Sequence, residues 1–549
     1  MFLLVLALLQ PLHFLPWVSW HSEVVAFAAV LLLAWQGVIW AAKKSLSNTV
    51  AFPLPVIPLV GLVVLIWVQS AAGRITFFGD ALVLTIYTIG CVVSLVLGMA
   101  VSGNQRTYTL LAWTLLVSAF LSVVVALAQA FDVWESIPWV NRMPQLRRPG
   151  GNLGQPNQLA TLLLMGLASL VFLLEEKKLG RLASALLALS LLVGLAATES
   201  RTGIVSLFIL ALWWFAKRKS IDFKLSPWWV MLAGAGFLFL FWRWPTLMDE
   251  ILQSGDIGGK VNTSLGGRWL VWPQLIEGVW QRPWFGWGIG QVSTAHNAVA
   301  DAYASSEPFT YAHNIVLDLA LGIGIPLTAL FSVMSMVWLW RRLKSARSLV
   351  PWYCLAVVLP VVVHSMLEFP FAYAYFLLPV MFALGALEGF VGIKPAIRLG
   401  VKPVAAMLLV ITVIMAWSAL EYVSIEEDFR IVRFEALKLG STPSDYERPK
   451  VVLLTQLDAL LKGGRIVPKP GMSADEVELA RTVALRYPWP ATQSRYALSL
   501  ALNGNPNEAI RQLRVMRALH GEKTYAQVRD GWVITAAEKY PQLKNLHLP

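Results

Sequence analysis

The most constraining feature of this chain is a succession of apolar segments, each about long enough to cross a lipid bilayer. A spanning helix needs roughly 20 mostly apolar residues, because a rise of about 1.5 Å per residue must cover ~30 Å of hydrocarbon. The sequence therefore predicts an all-α polytopic membrane protein with about 13 transmembrane helices, although prolines interrupt the first segment and the eighth is short. The predicted spans are 1–20, 23–42, 54–70, 80–102, 107–131, 157–174, 182–198, 203–216, 227–244, 313–340, 350–369, 374–392 and 403–421.

The composition excludes the common soluble classes. Hydrophobic residues make up 57% of the chain and charged residues only 14%, whereas a soluble protein carries about 25% charged residues. An ordinary cytosolic globule, a disordered chain and a disulfide scaffold are therefore excluded. Both cysteines, Cys91 and Cys354, lie inside apolar segments, so we expect free, buried thiols.

The basic residues between the segments predict the orientation of the chain. If the N-terminus is cytoplasmic, the cytoplasmic loops carry 17 Lys and Arg residues, against nine on the opposite side up to residue 421. Cytoplasmic loops are enriched in these residues, and every loop assigned to that side is basic. The net charge of +12 therefore indicates membrane topology rather than nucleic-acid binding, and thirteen spans place the C-terminus outside.

Two large segments lie on the outer side in this topology. One is the loop 245–312, and the other is the polar, helix-patterned tail 422–549. We therefore predict a transmembrane domain at 1–421, which includes that loop, and a helical C-terminal domain at 422–549. Within the tail, 496–516 contains two helix-period runs separated by an Asn-Gly-Asn-Pro turn, which is typical of one helical-hairpin repeat.

Polar clusters at the outer ends of the spans are the candidate functional residues. The first is RRPGGNLGQPNQLA at 147–160, whose side-chain amides at Gln155, Asn157 and Gln158 suit sugar hydroxyls or a phosphate edge. Its alternative interpretation is a capped helix entry beside a wet loop, with Pro156 beginning the helix.

Two arginines in outer loops could hold a phosphate in bidentate fashion. Arg201 lies in the sequence ESRTG between two spans, and Arg268 lies in GGRW within the large loop. The alternative for Arg201 is a simple ion pair with Glu199. Further along the loop, Trp284 and Trp287 could stack on sugar rings or anchor the chain at the membrane interface.

Histidines follow in two more clusters. His313 and Asn314 open the predicted tenth span, and His296 repeats the His-Asn dipeptide within the loop without opening a span, so it ranks lower. His364 and Glu368 are four residues apart, which predicts one shared helix face and, as the alternative, a pair that closes the helix bundle. Tyr373 follows in the same cluster and could touch a substrate.

All five clusters fall on the outer side, which supports one shared outward-facing site. The sequence contains no GxxxxGK[ST] loop, no HExxH and no CxxC, so no recognised pattern binds ATP or zinc. A bond made at such a site must draw its energy from an activated donor.

Five motifs in a fixed order carry a resemblance to a known family. The chain resembles the O-antigen ligase and polymerase superfamily, and more closely the bacterial protein O-oligosaccharyltransferases of the PglL type, also called pilin glycosylation ligases. The resemblance covers essentially the whole chain, including an N-terminal segment similar to PLHFLPWVSWHSE at 11–23. The motifs are GGNLGQPNQLATLLL at 150–164, ESRTG at 199–203, GGRW to GWGIGQ at 266–291, AHNIVLDLALGIGIP at 312–326 and HSMLEFPFAYAYF at 364–376.

The resemblance implies a GT-C-like membrane fold and a specific reaction. A preassembled glycan would move from undecaprenyl pyrophosphate to a Ser or Thr of a pilin or another exported protein at the bacterial inner membrane, with the C-terminal domain in the periplasm. His313 would act as base, and Arg268 and Arg201 would hold the pyrophosphate, with inversion at the anomeric carbon and neither cofactor nor metal. Asp318 receives no catalytic role, although many superfamily members carry a Glu in that helix. The residues expected to bind substrate are Gln155, Asn157, Gln158, Asn314, Tyr373, His364 and Glu368.

Three alternatives remain open at this point. An O-antigen ligase acting on lipid A core or a glycan polymerase would share the fold and the base. A transporter of lipid-linked sugars belongs to another class, and it predicts ionisable pairs near mid-bilayer or inverted repeats, neither of which the sequence shows.

Overall fold

The computed structural model describes residues 2–43, 49–133, 137–141, 148–252 and 267–549. Arg147 and Gly266 of the predicted motifs, and residues 253–266 of the predicted outer loop, lie outside the described residues. The helices within the described residues are α1 Phe2–Leu9, α2 Trp20–Lys43, α3 Val56–Ala71, α4 Phe78–Ala100, α5 Gln105–Ala130, α6 Pro156–Glu175, α7 Arg181–Ala197, α8 Arg201–Ile221, α9 Pro227–Leu252, α10 Arg268–Gln281, α11 Val292–Asn297, α12 Ile315–Ile323, α13 Ile325–Ser345, α14 Leu349–Ser365, α15 Ala374–Phe390, α16 Val401–Ala436, α17 Thr455–Gly464, α18 Ala474–Arg486, α19 Pro490–Leu502 and α20 Pro506–Glu538.

The prediction of a helical membrane protein is confirmed. Six described helices are long and apolar enough to cross a bilayer, namely α2, α4, α5, α6, α9 and α16. Helices α3, α7, α14 and α15 are apolar but shorter. Cys91 and Cys354 are free and buried, as expected. The full count of thirteen spans and the side on which the tail lies stay predictions.

Three segments differ from the predicted spans. The first predicted span, 1–20, contains only α1, and eight residues rise about 12 Å, which is too short to cross the membrane. The predicted span 313–340 is divided into α12 and α13 at Gly324, whose φ of 81° interrupts the helix. The last span does not end at 421, because α16 continues unbroken to Ala436, about 54 Å in all.

One sheet departs from the all-α prediction. Strand β1, Thr49–Phe52, pairs antiparallel with β2, Ile397–Gly400, and Thr49 lies opposite Gly400. The two strands lie in loops predicted to be cytoplasmic and are four residues long each. Sequence periodicity cannot find such short strands, since they are paired across nearly 350 residues of chain.

The chain divides into two compact units. The first comprises Met1–Leu62, Ile86–Thr263 and Ser335–Ile414. Within it, α6 is buried along nearly its whole length among α5, α7, α8 and α14. Small residues allow this close packing, because a Cβ on Gly166 would lie only 2.5 Å from that of Ala119. The N-terminal turn of α6, which carries the first motif, is therefore fixed on a rigid helix.

The second unit comprises Val63–Thr85, Ser264–Met334 and Met415–Pro549. Its helices α10, α11 and α12 enclose an apolar cluster that includes Leu275, Phe309 and Leu321. In the tail, α19 and α20 form the predicted helical hairpin, and residues 503–505 form the turn between them. Gly504 takes a φ of 85° there, which a glycine adopts without strain.

Candidate active site

The first motif forms the N-terminal turn of α6. The side chain of Gln155 accepts a hydrogen bond of 2.9 Å from the backbone N–H of Gln158, and Pro156 occupies the first turn. Gln155 is thus the N-cap of the helix, as the alternative interpretation of this motif anticipated. Asn157 and Gln158 extend beyond this cap to other elements.

Asn157 joins three of the predicted clusters in the first unit. Its Oδ1 accepts a hydrogen bond of 2.6 Å from the Ser200 hydroxyl, and its Nδ2 donates to Glu368 Oε1 at 3.2 Å. Ser200 in turn caps α8 by accepting from the Gly203 N–H at 2.9 Å. The GQPNQ, ESRTG and HSMLEF motifs therefore meet at one amide.

His364 and Glu368 do not share a helix face, contrary to the prediction. Helix α14 ends at Ser365, and Glu368 lies in the following turn, where its N–H donates to the carbonyl oxygen of His364 at 2.8 Å. His364 Nδ1 lies 2.8 Å from the Thr161 hydroxyl. Both residues of the predicted pair thus contact α6, one turn apart.

Tyr373 lies in an aromatic segment, and another tyrosine of this segment binds Gln158. Its ring stacks on Phe369 and on Tyr375, with centroids 5.8 Å and 5.3 Å apart. The Tyr375 hydroxyl donates to Gln158 Oε1 at 2.8 Å. Sequence reasoning did not assign Tyr375 a role, although it lies two residues from Tyr373 in the same motif.

The N-terminal segment supports two of these motifs. Glu23 Oε2 accepts a hydrogen bond of 2.6 Å from the N–H of Ala374, which lies between the two tyrosines. His13 Nε2 lies 2.7 Å from the carbonyl oxygen of Asn152, in the GGNLG turn. Neither residue carried a recognisable chemical signal in the sequence.

Arg201 is the first residue of α8 and is exposed. Arg148 reaches the preceding turn and donates to the carbonyl oxygens of Thr198 and Glu199, each at 3.1 Å. Burial raises the pKa of the Glu199 carboxyl, and the charge of Arg148 opposes that rise. The cation acting on Glu199 is therefore Arg148, and not Arg201 as the alternative interpretation had it.

Arg268 is the first residue of α10, in the second unit. It follows the N-cap residue Gly267, and the Glu307 carboxylate lies against that glycine, since a Cβ there would be 1.9 Å from Glu307 Oε2. The Glu307 side chain of the 303–314 segment therefore lies beside the start of α10. That segment leads directly to His313.

His313 occupies a constrained position two residues before α12. Its φ of 54° lies in the left-handed region, which costs a non-glycine residue about 1–3 kcal/mol and needs support from its surroundings. The neighbouring Ala312 supplies that support, because its N–H donates to Asp318 Oδ2 and its carbonyl accepts from Trp272 Nε1, both at 2.8 Å. The Phe309 ring lies over the imidazole with centroids 4.4 Å apart.

Asn314 caps α12. Its Oδ1 accepts hydrogen bonds of 3.0 Å from the N–H groups of Val316 and Leu317. An apolar groove of about 340 Å³ adjoins this cap. The groove is lined by Trp272, Ile276, Val279, Trp280, Asn314, Val316, Leu317, Ala320 and Ile325.

His296 lies in the interior of the second unit. Its Nε2 is 3.0 Å from Gln274 Oε1 and 2.9 Å from the Ser306 hydroxyl. Burial lowers the pKa of His296 to about 4, so the ring is neutral at physiological pH. Its contacts indicate a structural role.

The two tryptophans of the large loop differ in exposure. Trp287 donates to the carbonyl oxygen of Gly278 at 2.8 Å, and the Arg282 guanidinium covers its ring at 4.0 Å. Trp284 is 70% exposed. The ring of Trp284 is therefore more accessible to a ligand than the ring of Trp287.

Among the described residues, no three His, Cys, Asp or Glu side chains are grouped so as to hold a metal ion. The predicted independence from metal stays a prediction.

Three family matches cover the motifs. The family described as Protein glycosylation ligase matches residues 149–174, and the O-Antigen ligase family matches 185–332. The family described as Virulence factor membrane-bound polymerase, C-terminal, matches 352–534. The resemblance drawn from the motifs is confirmed.

Two relatives from Acinetobacter baylyi are similar over long stretches. A general O-oligosaccharyltransferase is 26% identical over 536 residues, which are 94% of this chain and 91% of the relative. A ComP-specific O-oligosaccharyltransferase is 28% identical over 374 residues, which are 66% of each chain. The predicted enzyme class, a glycosyltransferase, is confirmed.

Proposed function

We propose that this protein transfers a preassembled oligosaccharide en bloc from undecaprenyl pyrophosphate to a Ser or Thr hydroxyl of a pilin or another exported protein. The observation that carries the proposal is the similarity to a general O-oligosaccharyltransferase along 94% of the chain. The match of residues 149–174 to protein glycosylation ligases, at the GGNLGQPNQ motif, supports a protein acceptor over a lipid one.

The reaction is a single displacement at the anomeric carbon. The acceptor hydroxyl oxygen forms the new bond to the anomeric carbon, the bond from that carbon to the pyrophosphate oxygen breaks, and undecaprenyl pyrophosphate leaves with the electron pair. His313 takes the hydroxyl proton, since a hydroxyl is a poor nucleophile until a base lies within hydrogen-bond reach. Attack opposite the leaving group inverts the anomeric carbon and forms no covalent enzyme intermediate.

Arg268 and Arg201 hold the pyrophosphate in this proposal and stabilise charge as it departs. Gln155, whose side chain caps α6, is proposed to position the donor or the acceptor. Asn157, Gln158, Tyr373, His364 and Glu368 are proposed to bind donor or acceptor, together with Asn314 in the second unit.

The support for His313 as base is local. It is a half-buried imidazole in a left-handed conformation held by bonds to both polar groups of Ala312. A fixed imidazole favours catalysis, because proton transfer requires heavy atoms within about 2.6–3.2 Å.

We place the enzyme in the bacterial inner membrane, with a transmembrane domain at 1–421 and a periplasmic C-terminal domain at 422–549. The basic cytoplasmic loops support this orientation. A lipid-linked pyrophosphate donor suits the outer face, since it carries its own leaving group and needs no ATP.

A test uses cells that supply a lipid-linked glycan and a candidate pilin. The intact mass of the pilin is compared between the wild type and His313→Ala, with His547→Ala, an exposed histidine near the C-terminus, as the matched control. We expect a glycan-sized mass gain in the wild type and the control, and none in His313→Ala at equal membrane expression. A gain that survives in His313→Ala would remove this residue from the chemistry.

The second candidate is an O-antigen ligase, which the match of residues 185–332 favours. It predicts that lipid A core becomes capped in the same cells while the pilin mass stays unchanged.

A further inference from the structure

The C-terminal domain makes a buried contact with the chain that precedes the candidate base. Asn297, at the end of α11, and Gln512, on α20, exchange hydrogen bonds between their side-chain amides at 3.1 Å and 3.2 Å. Both residues are at most 3% exposed. Buried amides of this kind are costly to leave unsatisfied, so each depends on the other.

Arg511 strengthens the same contact. Its guanidinium donates to the carbonyl oxygen and to the Oδ1 of Asn297, each at 3.2 Å, and pairs with Asp301 at 3.2 Å. Glu508 orients Arg511 and Gln512, because its carboxylate accepts a hydrogen bond of 2.9 Å from each of them. One turn of α20 thus holds the end of α11 and the residues after it.

The contact continues toward the candidate base. The N–H of Ser306 donates to the carbonyl oxygen of Ala518 at 2.7 Å, and Ala300 packs against Val515 and Leu519 of α20. Seven residues after Ser306 comes His313. The segment 297–306 therefore packs directly against the C-terminal domain.

A second element of the domain, α18, acts electrostatically near the other end of the same segment. Arg486, at the end of α18, forms a bidentate pair with Asp80 at 2.9 Å. Its charge also interacts with Tyr311, two residues before His313. The domain thus contacts the segment 297–306 directly, and the charge of Arg486 acts near its other end.

We propose that the C-terminal domain fixes the 297–313 segment for glycan transfer, with Gln512 and Arg511 as positioning residues that act on His313 through Asn297. The inference rests on the proposed function for its catalytic part. It gives the domain a role in fixing the position of His313, which is distinct from binding the acceptor protein. A displacement of about 1 Å at a catalytic group can lower a rate by ~100-fold, so remote contacts of this kind are able to matter.

The test compares the full-length enzyme in detergent with Asn297→Ala, Gln512→Ala and the swapped double variant N297Q/Q512N. The swap keeps both amides and the total number of methylene groups, so it restores the pair in reverse order. Arg517→Ala is the matched control, because Arg517 lies on the same helix in an exposed pair with Glu522. Asp301→Asn serves as a milder variant if the alanine variants fail to accumulate.

The first readout is hydrogen exchange of peptides that cover 298–313, which needs no activity. We expect exchange about tenfold faster in the alanine variants, with recovery in the swap and no change in Arg517→Ala. Unchanged exchange would overturn the inference whatever the enzyme transfers.

The second readout is glycan transfer with an undecaprenyl-pyrophosphate-linked oligosaccharide and an acceptor protein. We expect kcat to fall about 10- to 100-fold with KM for the acceptor within about twofold of wild type. Faster exchange with unchanged kcat, or a raised acceptor KM with unchanged kcat, would overturn the positioning role. If the wild type transfers to lipid A core and not to protein, the proposed function fails, and kcat is measured on that acceptor instead.

Discussion

The carboxylate of Asp318 accepts a hydrogen bond of 2.8 Å from the backbone N–H of Ala312, the residue immediately before His313. Trp272 donates to the carbonyl oxygen of the same alanine, so both polar backbone groups of the residue before the candidate base are hydrogen-bonded. This relationship explains a helical acid at 318 without giving it a part in proton transfer.

Asp318→Ala should lower kcat for glycan transfer about 10- to 100-fold, because the turn that holds His313 loses one of its two side-chain partners. Asp318→Asn should retain more activity, since an amide oxygen still accepts the hydrogen bond. Steady-state kinetics on purified enzyme measure both. Equal loss in the two variants would indicate that the charge of Asp318 is needed.

Arg148→Lys should raise KM for the lipid-linked donor severalfold. Arg148 donates to the carbonyl oxygens of Thr198 and Glu199 with two guanidinium nitrogens. A lysine cannot make both hydrogen bonds in the same plane, so the turn that precedes Arg201 would be held less firmly. Lys178→Arg, in a loop predicted to be cytoplasmic, is the control and should leave KM unchanged. A drop confined to kcat would contradict a role in holding the donor.

Asn157→Ala should abolish most transfer, by at least about tenfold, while the protein still accumulates in the membrane. The change leaves the Ser200 hydroxyl and Glu368 without the amide that joins them. Ser190→Ala is the control, because it removes an exposed hydroxyl that bonds the Leu186 carbonyl oxygen within α7. Transfer assays at equal expression distinguish the two, and equal activity would refute the joining role.

Arg486→Ala should destabilise the chain by about 3 kcal/mol, because Asp80, which is 7% exposed, then keeps a charge without its partner. Arg481→Ala removes an exposed pair with Glu478 on the same helix and should cost less than about 1 kcal/mol. Unfolding in denaturant measures both. Similar losses would mean that the Asp80 pair is no stronger than a surface pair.

Acid should destabilise the second unit through His296. Burial lowers the pKa of this imidazole to about 4 from an ordinary 6.5, so the unfolded chain binds the extra proton between these values. Its contribution, about 3 kcal/mol, is complete above pH 6.5 and is lost as the pH falls toward 4. In His296→Gln the denaturant midpoint of unfolding should change less between pH 7 and pH 5 than it does in the wild type. His547→Gln, at an exposed histidine, is the control. A wild-type midpoint independent of pH would rule this out.

The apolar helices were predictable as a class, because length and hydropathy are local properties of the sequence. The hairpin of α19 and α20 was equally readable, since the Asn-Gly-Asn-Pro turn separates two helical periods. The first predicted span was not, because apolar residues continue past Leu9 although the helix ends before Pro11.

The candidate residues were predictable as types and not as contacts. A motif search finds Asn157 and Glu368, but their hydrogen bond joins positions 211 residues apart. The Asp80–Arg486 pair spans 406 residues, and neither partner lies in a recognisable motif. Ala312 has no functional side chain at all, so only its peptide geometry shows how His313 is held.

Arg201 and Arg268 are each the first residue of a helix. That position lies at the positive end of the helix macrodipole, where acidic side chains are favoured and a cation is disfavoured by about 0.3–1 kcal/mol. An anion that arrives at either arginine meets the side-chain charge and the unsatisfied N–H groups of the first turn together. In the proposed reaction each helix is therefore more stable while pyrophosphate is bound, and this stabilisation is lost when the spent carrier leaves.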